Sequence, residues 1–317
     1  MISKTEIYER AFKIKEENAN TNKQLYEKKY NELLNECEEL RDIDSQINIK
    51  GSRLISIVMD GSEEDLATIR AEFQSLHSRK NQILNQHNFT QFGYNCPLCD
   101  DTGRVKGKIC RCVNQIAAHV LIDAHSDYID LTRYTFENFD ISLYPDRAVD
   151  GINCRSRMSK TLEICREYVL GFEPGCGKNL YFCGGTGLGK SHLSAAMVNG
   201  LINRHYYALY MPSFNLFSRL TREYFNGEDT LFETVSKCDF LVIDDLGSEM
   251  NNSQVATLLY NLINNRIQSR RPFLINTNLK PDELKARYTE RIFSRVFGSC
   301  EGRMFCGDDI RLQNIDK

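Results

Sequence analysis

The sequence predicts an α/β protein: a three-layer sandwich around a mainly parallel, five-stranded sheet, preceded by an α-helical hairpin and a small cysteine-rich module. Three observations carry this expectation. No proline occurs before Pro97, so the first stretch is free to be helical. From about Thr135 onward, short apolar runs alternate with helical stretches, the pattern of a sheet covered on both faces. Between one such run and the helix after it stands Gly184-Gly185-Thr186-Gly187-Leu188-Gly189-Lys190-Ser191, which fits G-x-x-x-x-G-K-[ST] without a mismatch.

Length and composition set limits on the function. A chain of 317 residues allows about two domains, and 41% hydrophobic with 26% charged residues is the composition of an ordinary globular protein. The net charge of -3 gives no bulk attraction to nucleic acid, so any such contact needs a local basic stripe. No apolar run has the length of a membrane span, and Met1 to Arg10 is charged and amphipathic, unlike a signal peptide. Twelve cysteines suggest a secreted disulfide scaffold at first sight. The phosphate-loop motif and the apolar settings of Cys165, Cys183 and Cys238 oppose that reading and point to the cytoplasm.

The elements follow in order. Tyr26, Tyr30, Leu33, Cys37, Leu40, Ile43 and Ile47 are spaced by fours and threes, and Leu66, Ile69, Phe73, Leu76 and Ile83 resume a similar seam. Asp60-Gly61-Ser62 reads as the turn between them, and Ser62 with Asp65 as a capping box. The result is an antiparallel helical hairpin over residues 1–92. Its narrow apolar stripe suits either a spacer or a docking surface for a partner.

Residues 93–130 hold the module. Cys96-Pro97-Leu98-Cys99 and Cys110-Arg111-Cys112 flank a polar, turn-rich stretch. Four thiolates from two short turns suit tetrahedral Zn²⁺ in a segment too small for its own core. Such a closed sulfur set leaves no position for water, so the zinc is structural. The C-x-C spacing is tight, which leaves His119 as an alternative to Cys110 or Cys112.

In residues 131–317 strands are expected at Asn179–Cys183, Tyr207–Met211, Phe240–Ile243, Pro272–Thr277 and Arg303–Cys306. Helices are expected at Arg157–Val169, Ser191–Ile202, Ser213–Tyr224, Ser253–Gln268 and Pro281–Ala286. The glycine-rich loop would turn its backbone N–H groups toward a phosphate at a helix N-terminus, the arrangement of a P-loop. Gly184, Gly185, Thr186, Gly187, Leu188, Gly189, Lys190 and Ser191, with His192 beside them, are therefore candidate ATP-binding residues. Lys190 would reach the β- and γ-phosphates, and Ser191 would ligate Mg²⁺.

Phe240-Leu241-Val242-Ile243-Asp244-Asp245 is an apolar strand ending in two carboxylates. Asp244 would hold Mg²⁺, and Asp245 would orient or deprotonate the attacking water, with Glu249 as a fallback base. An aspartate at this second position is a methylene shorter than glutamate, which implies slow turnover. The strand Tyr207–Met211, placed between the P-loop and this carboxylate strand, groups the chain with P-loop ATPases that insert a strand there. Phe273-Leu274-Ile275-Asn276-Thr277-Asn278 ends in amides, and Asn278, or Thr277 next to it, is placed to sense the γ-phosphate. Arg291 and Arg295 share one helical face, either as solvated surface or as a finger toward a neighbouring subunit.

Taken together, these motifs resemble those of the DnaC/DnaI family of bacterial replicative-helicase loaders, AAA+ ATPases related to the transposition ATPase IstB. The resemblance spans Cys96 to Gly103, Cys110 to Cys112, Thr135-Phe136-Glu137-Asn138-Phe139, the P-loop, Ile243 to Gly247, Thr277 to Leu279, Glu290 to Arg295 and Gly307 to Arg311. It implies an N-terminal region that docks on the hexameric replicative helicase and an AAA+ domain that binds ATP and single-stranded DNA. It also implies self-association in the ATP-bound complex. Asn278 would be sensor I, Arg295 the arginine finger with Arg291 beside it, and Phe136 and Phe139 would lie near the adenine. The four-cysteine pattern matches the longer loaders of this family, and little chain follows the fifth strand to build a helical lid. Two other functions fit parts of the sequence: an IstB-like transposition helper, and a zinc-dependent nucleic-acid-binding protein with a scaffold ATPase core. The intact Lys190, Ser191 and Asp244 oppose the scaffold.

Overall fold

The computed structural model describes residues 4–60, 66–89, 92–123, 130–149, 151–250 and 252–313. The expected turn at Gly61-Ser62 and the Ser62–Asp65 capping box lie outside them. The chain divides into two compact units, one of Ile14–Thr102 and one of Met1–Lys13 with Gly103–Lys317. Among the described residues no helix is long and apolar enough to cross a membrane.

The first unit is helical, from the part of α1 (Lys4–Glu36) that follows Lys13, α2 (Glu38–Asp60) and α3 (Leu66–Gln86). Glu39 and Asp44, nearer the start of α2, pair with Arg79 and Lys80 nearer the end of α3, while Lys50 further along α2 pairs with Glu72 earlier in α3, so α2 and α3 form the expected antiparallel hairpin. Leu33, Leu40, Ile43, Ile47, Ile83 and Leu84 are its buried seam. The arm expected to run unbroken from Tyr26 to Ile47 is instead interrupted at Cys37. There Arg41 Nε and Nη2 donate to the carbonyls of Leu34 and Asn35 at 3.1 and 3.0 Å. A guanidinium thus serves acceptors that a continuous helix would give to backbone N–H groups.

In the second unit a short ribbon, β1 (Arg104–Val105) with β2 (Lys108–Ile109), leads into α4 (Arg111–Asp123). Ile7 and Ala11 of α1 pack with Val113 and Ala117 of α4. Two single 3₁₀ turns, Leu131–Arg133 and Ile141–Leu143, precede the ribbon β3 (Ala148–Val149) with β4 (Ile152–Asn153) and then α5 (Cys154–Leu170). The α/β core follows as β5 (Asn179–Cys183), α6 (Lys190–Asn203), β6 (Ala208–Pro212), α7 (Ser213–Asn226), α8 (Thr230–Lys237), β7 (Phe240–Leu246), α9 (Ser253–Gln268), β8 (Phe273–Thr277), α10 (Pro281–Arg287), α11 (Glu290–Ser299), β9 (Cys300–Met304) and α12 (Ile310–Gln313).

The five strands β5 to β9 are parallel, in the order β6-β7-β8-β5-β9. Because side chains alternate along a strand, Leu241 and Ile243 join Phe217, Leu259 and Leu262 on one face. Phe240 and Val242 join Met197, Leu201 and Val169 on the other. The strand lying between the P-loop strand β5 and β7 is β8, while the 207–211 segment forms the edge strand β6. That edge is closed by α4, whose Gln115 Oε1 accepts the Ala208 N–H at 2.9 Å.

The fifth strand lies three residues earlier than the apolar run at Arg303–Cys306 suggests. Asn179 to Cys183 pair in register with Cys300 to Met304; α11 starts behind its Thr289 N-cap and ends at Ser299, where Cys300 enters the strand. As an exposed edge strand, β9 lacks the apolar signature that marks the buried ones.

Candidate active site and cysteine cluster

The loop between β5 and α6 sits at the carboxyl end of the parallel sheet, where such folds bind ligands. Its glycines are required by space as well as by conformation. A Cβ on Gly189 (φ 84°) would come within 2.6 Å of the Tyr144 hydroxyl, and one on Gly187 (φ 69°) would meet the Asp309 carboxylate. The Tyr144 hydroxyl donates to Leu188 O at 2.8 Å, and Ile310 N donates to Gly187 O at 3.0 Å. The segment after β9 thus folds back across the loop.

Lys190 is 7% exposed, and its Nζ donates to Gly184 O, Gly185 O and Asn278 Oδ1 at 2.8, 2.6 and 2.6 Å. Burial lowers its pKa, an effect that the neighbouring Asp244 and Asp245 oppose. Ser191 Oγ donates to Asp244 Oδ1 at 3.0 Å. Serine and aspartate therefore stand together, as a shared Mg²⁺ requires, and the donor set of hydroxyl and carboxylate oxygens fits that hard cation.

A β-bulge between Ile243 and Leu246 interrupts the pairing of β7 with β8 and re-aims the two carboxylates. Asp245 occupies the left-handed region (φ 53°), a conformation non-glycine residues adopt mainly where the surroundings impose it. Its carboxyl is pushed up by burial and then by Asp244 beside it. Asn278 Nδ2 donates to Asp245 Oδ1 at 2.9 Å, so Asn278 links Lys190 to Asp245. Thr277 is buried, its hydroxyl donating to Leu246 O at 2.6 Å, and it faces away from this role.

Asn276, which sequence reasoning passed over, is fully buried beneath the pair. Its Nδ2 donates to Asp244 Oδ1 and, at 2.7 Å, to Ser194 Oγ. Glu249, the fallback base, lies elsewhere. It is 4% exposed and accepts from Ser213 Oγ, Gly247 N and the Tyr288 hydroxyl, beside Arg287. Buried and already accepting three hydrogen bonds, this carboxylate does not line the cleft where a lytic water would sit.

Lys190, Ser191, Asp244, Asp245, Asn276 and Asn278 line a cleft of about 470 Å³, together with Tyr134, Phe139, Tyr144 and Arg311. Phe139 lies against Tyr144 and against His192, with ring centroids at 5.8 and 5.3 Å. His192 Nε2 lies 3.2 Å from Thr135 O and 2.9 Å from Asn138 Oδ1, both acceptors, so this nitrogen carries the proton. Burial lowers its pKa. Phe136 turns the other way, packing under Arg166 and near Gly200 of α6. Tyr134, Tyr144 and Arg311 are further cleft residues that the sequence did not reveal, since nothing local signals the fold-back that delivers Arg311. Arg291 is exposed, and Arg295 stacks on Tyr260 at 4.5 Å while Nε donates to Asn264 Oδ1 at 3.0 Å. Neither lines the cleft of its own chain.

Away from the cleft, Cys96, Cys99, Cys110 and Cys112 bring four sulfurs within 4.8 Å of one another. Three are buried and Cys112 half-buried, and the set fits a closed, four-sulfur Zn²⁺ site. His119 is not part of the cluster; its Nε2 lies 2.7 Å from Gln115 Nε2 on the same helix. Asp101 holds the first turn in place. Its carboxylate accepts the N–H groups of Asn95 and Cys96, both at 2.9 Å, and pairs with Lys15.

Residues 175–315 match the family model described as IstB-like ATP binding protein. The chain is 28% identical over 148 residues to a protein named replicative helicase loader DnaC from Escherichia coli K12, covering 46% of this chain and 60% of that one. It is 33% identical over 168 residues to replicative helicase loader DnaI from Bacillus subtilis 168, covering 50% and 49%. The chain thus spans about half to three fifths of the length of these relatives. A crystal structure titled as the DnaC helicase loader aligns with a TM-score of 0.46 and 25% identity, over 54% of this chain and 98% of that one. Residues 175–315 are therefore similar to IstB-like ATP binding proteins, in a chain similar in sequence to the DnaC and DnaI replicative helicase loaders.

Proposed function

We propose that this protein is an ATP-switched loader that places a hexameric replicative helicase on single-stranded DNA. The observation that carries the reading is the connected set Lys190–Asn278–Asp245 and Ser191–Asp244–Asn276 in one cleft. That convergence of a loop lysine, a serine, two carboxylates and two amides supports a site for a triphosphate and a positioned water. Loop N–H groups and Lys190 would bind the β- and γ-phosphates. Ser191 and Asp244 would hold Mg²⁺, which supplies charge neutralisation when bound. Asp245, kept in place by Asn278, would orient the water and accept its proton as the γ-phosphoryl group leaves ADP. Its raised pKa suits a proton acceptor, and its short side chain keeps turnover slow.

The relatives named helicase loaders support the helicase as partner, and the N-terminal helices with their thin seam suit the docking role. A cytoplasmic location, self-association through the face bearing Arg291 and Arg295, and structural Zn²⁺ on the four cysteines complete the reading. The IstB-like family match favours a second one, a helper ATPase for a transposase. Co-purification with the replicative helicase of the source cell, with and without ATP, tests the first. ATP-dependent capture of the helicase is expected; no capture in either state, with capture of a transposase instead, would overturn it.

A further inference from the structure

The buried carboxylate of Glu249 has no part in that reading, yet it is the most heavily engaged acid of the ATPase unit among the described residues. Its Oε2 takes the Gly247 N–H at 2.9 Å and lies 2.7 Å from Ser213 Oγ at the start of α7. Its Oε1 takes the Tyr288 hydroxyl, at the end of α10, and lies 3.6 Å from Arg287 Nε. The Glu249 carbonyl in turn accepts from Arg287 Nη2. The Ser213 hydroxyl lies 2.8 Å from the Asp245 carbonyl, so its one proton is shared between that carbonyl and Glu249.

Each contact bears on the turn from 245 to 249. Asp245 keeps a left-handed backbone, and Gly247 (φ 113°) packs so closely on Leu279 that a Cβ there would meet Leu279 Cδ1 at 2.8 Å. A strained turn persists only where its surroundings over-determine it. Ser213, Glu249 and Tyr288 are those surroundings.

We propose that Glu249 is a positioning residue for hydrolysis: through Ser213 and Tyr288 it fixes the turn that presents Asp245, and so ties the catalytic geometry to α7 and α10. The inference rests on the reading of the cleft as an ATPase site. A displaced Asp245 would weaken water orientation and leave phosphate binding, which belongs to the loop and Lys190, intact.

The test uses the full chain with Ser213→Ala, Tyr288→Phe and Glu249→Gln. Single-turnover hydrolysis with protein in excess over ATP gives the rate, fluorescent-nucleotide titration gives affinity, and thermal melts report folding. Ser213→Ala and Tyr288→Phe each remove one hydrogen bond to a charged group, which is expected to slow hydrolysis about tenfold with affinity within about twofold of wild type. Glu249→Gln is expected to slow it further. Wild-type rates in the two single-hydroxyl variants would overturn the proposal, as would rate and affinity falling together with the melting temperature. Failure of the wild-type chain to bind or hydrolyse ATP would instead remove the ATPase reading itself.

Discussion

Asn276→Leu is the sharpest probe of the cleft, because it keeps the volume of a fully buried side chain and deletes its two donated hydrogen bonds. One of these goes to the Asp244 carboxylate, which then keeps only Ser191 among the partners described above. A hydrogen bond to a charged group contributes about 1.5–3 kcal/mol. If all of it is expressed in the transition state, the rate falls about 10- to 150-fold, since about 1.4 kcal/mol is tenfold. Part of the loss will appear as stability instead, because Ser194 also loses a partner inside the core. The expected result is a rate lowered at least about tenfold and an increased Mg²⁺ requirement, with nucleotide affinity nearly unchanged. Steady-state phosphate release across a Mg²⁺ titration, alongside a fluorescent-nucleotide titration and a thermal melt, measures each part. A folded Asn276→Leu protein with wild-type rate and Mg²⁺ dependence would refute the role assigned to this amide.

Three further outcomes are expected. Lys190→Ala removes the one loop cation and its contacts to Gly184, Gly185 and Asn278, so ATP binding is lost; tight Mg²⁺-dependent binding in a nucleotide titration would count against the site. Protein purified without added metal should contain about one Zn²⁺ per chain by elemental analysis, and Cys96→Ser or Cys110→Ser should lose it together with local order around residues 94–113. Arg295→Ala should leave ATP affinity near wild type and lower hydrolysis only in the assembled complex, by less than the 10³–10⁵-fold roughly typical of arginine fingers, because the short Asp245 side chain is expected to keep turnover slow. Equal rates for wild type and variant in the helicase-bound assembly would exclude the finger.

What could be read from the sequence depended on how local the signal was. Buried strands such as Phe240–Leu246 and Phe273–Thr277 show as apolar runs, and the P-loop shows as a motif whose glycines are required by contacts with Tyr144 and Asp309. The exposed edge strand β9 has no such run, and the eight-residue α8 is too short for a clear period. Asn276 looks like a strand end in one dimension; only the pairing of β7 with β8 sets it under Asp244. Phe136 and Phe139 are both expected near the adenine, yet three residues of chain put Phe136 against α6 and Phe139 in the cleft, a difference that the sequence does not signal. Arg311 arrives by a chain reversal that no periodicity encodes.

The two edges of the sheet have different exposures to misassembly. An open strand edge offers unpaired backbone groups to any other extended chain. Along β9 the charged pair Glu301 and Arg303 discourages such pairing. Along β6 the guard is α4, through the Gln115 amide and the helix packed above it. That helix begins at Arg111, between two members of the cysteine cluster, Cys110 and Cys112. Removing the metal proposed for those thiols would therefore loosen the cover of β6 and expose an edge able to pair with a second copy. Chelation is then expected to free the β6 edge for pairing as well as to cost local structure, which places a consequence of the proposed metal at a sheet edge remote from the cleft.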